Sequence, residues 1–160
     1  AITAAETGHL VLGTMHTADA ASTLSRLLDV FPPSQQAQIR AMVSESLRGI
    51  LCQKLLPAVD GGNVLATESL VANLAVGNLI RENKIQNLAS VMETGVRDGM
   101  LTMDSSVLAL FRAGRITLET ALDNIGNRAL RALLQNAADA PAEPAPVAAP
   151  APEKKRFGLF

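Results

Sequence analysis

The chain has 160 residues and a net charge of −1, from 14 basic and 15 acidic side chains, so its charge does not draw it to nucleic acid or anionic lipid. Hydrophobic residues make up 48%, but Trp and Tyr are absent and two of the four Phe, Phe157 and Phe160, stand in the last four positions. The core must therefore be aliphatic, and a stacking platform for bases or sugars is excluded. The single cysteine, Cys52, can close neither an internal disulfide nor a thiolate metal cage, which fits a reducing compartment such as the cytoplasm, or a chain indifferent to redox. No apolar run approaches the roughly 20 residues of a spanning helix, and there is no basic-then-apolar leader with a small-residue cleavage site. The sequence opens at Ala1-Ile2-Thr3 without an initiator methionine, as expected of a processed chain or of a piece of a longer protein.

In chain order, Gly8 precedes His9–Met15, a nearly continuous apolar run that reads as a strand buried on both faces, as in a parallel sheet. From Asp19, a plausible N-cap, Leu24, Leu27, Leu28 and Phe31 recur at helical spacing. Pro32-Pro33 stops that helix, Ser34 is placed to cap the next, and Ile39, Met42, Val43 and Leu47 form its stripe up to Gly49. Ile50–Leu56 and Asn63–Val71 read as two strands around the turn Asp60-Gly61-Gly62-Asn63, a hairpin. Everything after Ala72 reads as short helices, with Gly95 and Gly114 as stops and Thr117 and Asn127 as caps. The fold class is α/β: a parallel strand plus hairpin strands with helices (1–71), then a small helical bundle (72–137). Residues 138–152 hold five of the eight prolines among alanines, and residues 138–160 read as a disordered Ala/Pro linker ending in a basic and aromatic tip.

Side chains alternate along a strand, so Thr14 and His16 share one face and His9 takes the other. The two histidines therefore form no shared metal site unless the strand breaks between them. Thr14, His16 and Thr17 stand at the carboxyl end of the strand, where open α/β sheets bind ligands. An imidazole and two hydroxyls there suit hydrogen bonding to phosphate; a capping cluster at a strand-to-helix junction is the other reading.

The run Ala4-Ala5-Glu6-Thr7-Gly8-His9-Leu10-Val11-Leu12-Gly13-Thr14-Met15-His16-Thr17 resembles the histidine box of the secretion-type hexameric ATPases, most closely the type IV pilus retraction ATPases of twitching motility. Asp29-Val30-Phe31-Pro32, Ser44-Glu45-Ser46-Leu47, Asn78-Leu79-Ile80-Arg81-Glu82 and Gly99-Met100-Leu101-Thr102-Met103-Asp104 agree in the same order, so the likeness covers about residues 1–126. It implies the carboxyl-terminal part of a RecA-like ATPase core in a cytoplasmic homo-hexamer, peripheral at the inner membrane beside a pilus platform protein, using ATP and Mg²⁺. By the same resemblance His16, with Thr14, is the catalytic contact to the terminal phosphate, and Thr17, His9 and Glu6 belong to the nucleotide-binding motif. Arg26 and Arg40 face a neighbouring subunit or its nucleotide, while Arg81 and Glu82 couple hydrolysis to motion.

Two departures from the family stand out. The phosphate-binding Gly-rich loop with its Lys and the Mg²⁺-organising carboxylates precede the histidine box in the family, and no G-x-x-x-x-G-K-[ST] occurs here. The chain alone is therefore expected to be inactive. In the coupling segment Ala75 and Val76 fit, but Gly77 replaces an arginine and Leu74 a proline. Two alternatives compete: a pilus-extension or type II secretion assembly ATPase, whose four-cysteine zinc site has no counterpart at Pro57-Ala58-Val59-Asp60, and a non-catalytic partner-binding module. The tip, with Phe157, Leu159 and Phe160 behind Lys154-Lys155-Arg156, reads as a docking peptide or as a solvated tail without a role.

Overall fold

The computed structural model describes residues 1–139. It contains helices α1 (Ile2–Glu6), α2 (Ala20–Asp29) and α3 (Pro33–Ser46), strands β1 (Gly49–Pro57) and β2 (Asn63–Val71), then helices α4 (Leu74–Arg81), α5 (Leu88–Thr94), α6 (Met103–Arg112), α7 (Leu118–Asn124) and α8 (Arg128–Asp139). Single 3₁₀ turns at Ile85–Asn87 and Gly95–Asp98 flank α5. The linker and tip beyond these residues, including the docking reading of Phe157, Leu159 and Phe160, lie outside the described residues.

Most helix starts are local chemistry. The Asp19 carboxylate accepts from the Ser22 N–H at 2.7 Å and starts α2, Thr117 accepts from the Thr120 N–H at 3.1 Å for α7, and Asn127 accepts from Ala129 and Leu130 for α8. α3 begins differently. Pro32 is its N-cap and Pro33 its first residue, with no side-chain cap, so Ser34 lies inside the helix and does not cap it. A proline at the first helical position needs no N–H there and brings its φ preset. The helix stops at Ser46, three residues before Gly49, where Ser44 and Ser46 donate their hydroxyls back to Ala41 and Met42.

β1 and β2 pair antiparallel from Gly49↔Val71 to Pro57↔Asn63. Gly61 and Gly62 carry φ of +89° and +76° in the connecting turn, angles that glycine adopts without steric cost. The inner face of the hairpin buries Cys52, Leu56, Ala66, Glu68 and Leu70, while Leu51, Leu55 and Leu65 on the outer face are exposed. Two cores form on the inner face. One gathers Leu70 with Leu24, Leu28, Val43, Val76, Ile80, Leu88 and Met100, and the other gathers Leu56 and Ala66 with Val107, Ile116, Ala121 and Ile125. The first core draws on residues before and after position 71, so packing runs across that division. Each buried Val, Leu, Ile or Met among them contributes about 1.5–3 kcal/mol on burial.

Glu68 sits between the two cores. One carboxylate oxygen accepts from the Ala20 N–H at 2.7 Å and the other from the Met103 N–H at 3.1 Å, the first residues of α2 and α6. A carboxylate placed at two helix N-termini fills unpartnered donors and opposes both helix dipoles. Beside it, burial pushes the Cys52 thiol above its usual pKa; a contact with Thr23 works against this, and the Glu68 and Asp19 carboxylates add to it.

The expected strand over His9–Met15 does not form. Among the described residues it has no ladder partner, the only sheet is the two-stranded hairpin, and Leu10 and Leu12 are 85% and 88% exposed. An apolar run becomes a parallel strand only when neighbouring strands take up its N–H and C=O groups, and none here does. Gly95, expected as a stop, ends α5 and also opens the following 3₁₀ turn.

The Glu68 bridge predicts a graded loss of stability. Glu68→Gln keeps one acceptor and turns an NH₂ donor towards the second N–H, costing about 1–3 kcal/mol for one unsatisfied buried group. Glu68→Ala strands both and should cost about twice as much in urea unfolding; equal costs for the two variants would show that only one of the hydrogen bonds matters.

Candidate functional site

The segment that carries His16 leads directly into α2, and α2 is the element that holds it. A cleft of about 780 Å³ opens between His16–Ala18, the face of α2 bearing Ala21, Ser22, Ser25 and Arg26, and the turn after α4 bearing Asn83, Ile85 and Gln86. Seven of its ten lining residues are polar. Two of the first-turn N–H groups of α2, those of Ala20 and Ser22, are already spent on Glu68 and Asp19, and the cleft's cationic side chain is Arg26.

Two side chains of α2 grip the segment. Arg26 Nη1 donates to the main-chain carbonyl of His16 at 2.9 Å, and the hydroxyls of Thr17 and Thr23 meet at 2.6 Å. Thr23 donates its single proton to the Asp19 carbonyl at 2.8 Å, so Thr17 must be the donor to Thr23. The Thr17 hydroxyl therefore offers a ligand lone pairs, and gives it a proton only by leaving Thr23. The His16 imidazole has no hydrogen-bond partner among the described residues.

His9 stands apart from this cleft. Thr7 donates its proton to the Ala4 carbonyl at 2.9 Å, which makes it the acceptor for His9 Nδ1–H at 3.1 Å. A neutral His9 thus keeps Nε2 as a free acceptor. Glu6, at the end of α1, and Thr14 are exposed and do not line the cleft. Arg40 lies on α3 with its Nε buried and unpartnered among the described residues.

On α4, Arg81 Nη2 donates to Asn78 Oδ1 at 3.1 Å. Glu82 pairs with Lys84 at 2.7 Å on the surface, and the Lys84 hydrogen bond and charge hold the Glu82 carboxyl below its usual pKa. Gly77 is buried against α3: a Cβ there would stand 3.2 Å from the Ser44 carbonyl oxygen and 3.8 Å from the Arg81 guanidinium. A side chain at position 77 would crowd the α3 backbone, an opposing effect to the roughly 1 kcal/mol that glycine costs a helix interior.

Of the residues singled out from sequence, the fold thus brings together His16, Thr17 and Arg26, and leaves Thr14, His9, Glu6, Arg40, Arg81 and Glu82 outside the cleft. It adds Asn83 and Gln86, which follow directly on the Asn78–Glu82 segment. Asn83 has a φ of +57°, and an asparagine just past a helix end is the available sequence sign of such a left-handed residue. Among the described residues no three His, Cys, Asp or Glu side chains come together as a metal site.

Comparison with known proteins gives these positions a context. A twitching motility protein of Neisseria gonorrhoeae is 53% identical over 122 residues, covering 76% of this chain and 33% of that protein. The type IV pilus retraction ATPase PilT of Pseudomonas aeruginosa is 46% identical over 121 residues, covering 76% of this chain and 35% of that protein. A crystal structure of the pilus retraction motor PilT with bound ADP superposes with a TM-score of 0.71 at 45% identity, covering 80% of this chain and 36% of that one. The chain spans about a third of the length of these relatives. The family model of the type II/IV secretion system proteins matches residues 1–106, and the chain belongs to that family.

Proposed function

We propose that this chain is part of a hexameric ATP-driven motor that retracts type IV pili, and that within it His16 answers to the terminal phosphate of ATP. The observation that carries this reading is the cleft in which His16 meets the turn following the Asn78–Glu82 segment, in a chain whose relatives are named as pilus retraction ATPases. MgATP, when bound, brings the phosphoryl group and the cation that screens its charge. The residues present fit only the terminal-phosphate end of that ligand: an imidazole beside hydroxyls, without a Lys-bearing Gly-rich loop or a carboxylate cluster for Mg²⁺ among the described residues.

In this reading the His16 imidazole offers an N–H to a phosphate oxygen, and a donor so placed counts most as charge develops in the transition state. Thr17 assists from the same segment by exchanging its bond to Thr23 for one to the ligand. His9 and Glu6 complete the motif, and Arg40 turns to a neighbouring subunit. The turn Asn83–Gln86 takes the state of the cleft to α4, whose Arg81 and Glu82 act on the partner side, at the cytoplasmic face of an inner-membrane platform protein. The names of the relatives favour retraction over the extension and type II secretion assembly motors.

In the intact motor, His16→Ala should lower kcat by about 10²-fold or more with KM little changed. Turnover within about twofold of the parent would return His16 to the capping role. Arg81→Ala should leave ATP hydrolysis largely intact while abolishing twitching in cells; parallel loss of both would make α4 part of the catalytic or folding machinery instead.

A further inference from the structure

We infer that Arg26 is a positioning residue for His16, acting within its own chain by holding the main-chain carbonyl from which the imidazole is hung. This rests on the reading of His16 as the phosphate contact. Packing does not place that histidine. The segment before it has no ladder partner among the described residues, and Leu10 and Leu12 lie 85% and 88% exposed. What fixes its end is two side chains on one face of α2, three residues apart: Thr23, bonded to the Thr17 hydroxyl at 2.6 Å, and Arg26, bonded to the His16 carbonyl at 2.9 Å.

The base of this clamp is rigid. Leu24 and Leu28, on the opposite side of the same helix turns, are 0% and 3% exposed, and the first N–H of α2 is held by Glu68 at 2.7 Å. Arg26 has no carboxylate partner among the described residues, so its one seen hydrogen bond is the one to His16. That bond aims at a backbone oxygen, so it constrains the position of residue 16 and leaves the imidazole nitrogens free for a ligand. A guanidinium carries its donors in a rigid planar fork, which suits it to hold a carbonyl at a set distance.

The alternative is that Arg26 reaches a nucleotide or a neighbouring subunit directly, and the two readings separate experimentally. In ¹⁵N-labelled chain, Arg26→Ala should shift the amide signals of Met15, His16 and Thr17 and the His16 imidazole signals, with the signals of Leu24 and Val43 and the thermal midpoint unchanged. In the intact motor the same variant should lower kcat by about 10–100-fold, the scale of a misplaced reacting group, with KM within about twofold. Arg26→Lys, which keeps a donor, should recover most of that loss. Adding Arg26→Ala to His16→Ala should cost nothing further. Unmoved signals at residues 15–17, or fully additive losses in the double variant, would overturn the inference. Should His16→Ala itself leave turnover intact, the phosphate reading fails, and the amide signals alone then decide whether Arg26 positions residue 16.

Discussion

The architecture turns on one buried carboxylate. Glu68 lies in the middle of β2, between a core centred on Leu70 and one centred on Ala66 and Leu56. Its two oxygens start two different helices, α2 and α6, from N–H donors that no other group among the described residues fills. A helix N-terminus pointed at a sheet is unfavourable unless its donors are satisfied, and burying a carboxylate is unfavourable unless it is hydrogen-bonded. Each liability here answers the other. The consequence is geometric: α2 and α6 cannot move relative to the hairpin without stranding a charge in the interior.

Because α2 is anchored in this way, whatever α2 holds is also placed relative to the hairpin. Thr23 and Arg26 extend the anchorage to Thr17 and His16, so an exposed segment with no sheet partner ends at a defined point. The order of contacts runs from His16 through Arg26 to α2, from Ala20 to Glu68, and from Glu68 to Met103 at the head of α6. On the other wall of the cleft, the Asn83–Gln86 turn continues α4, which packs on α3 closely enough that only a glycine fits at position 77 without crowding the Ser44 carbonyl. A change in the cleft therefore meets two helices at once.

The surfaces left open have a sequence character of their own. Leu10 and Leu12 before the cleft and Leu51, Leu55 and Leu65 on the outer face of the hairpin are apolar and exposed. Their pattern is that of strands covered on both faces, whereas in this chain the hairpin is covered on one.

How much of this was legible depended on how far apart the partners are in sequence. The caps at Asp19, Thr117 and Asn127, the two-glycine hairpin turn and the helical stripe of α2 rest on contacts within four residues, so residue type and spacing determined them. The motif around His16 was legible for the same reason, as a run of adjacent residues. The Pro33 start of α3 misled because a helix can begin on proline without any side-chain cap, which makes a nearby serine an ambiguous sign. The His9–Met15 strand misled because an apolar run states a preference for burial, while a strand also requires neighbours that periodicity does not supply. Glu68 reaches partners 48 and 35 residues away, and Arg26 meets a backbone oxygen that carries no mark of residue type. The sequence by itself thus determined the elements, their caps and the family likeness, because these are local. Tertiary structure alone decided that the three residues His16, Thr17 and Arg26 share one cleft with the end of α4, because that juxtaposition depends on a carboxylate holding two distant helix starts against one strand.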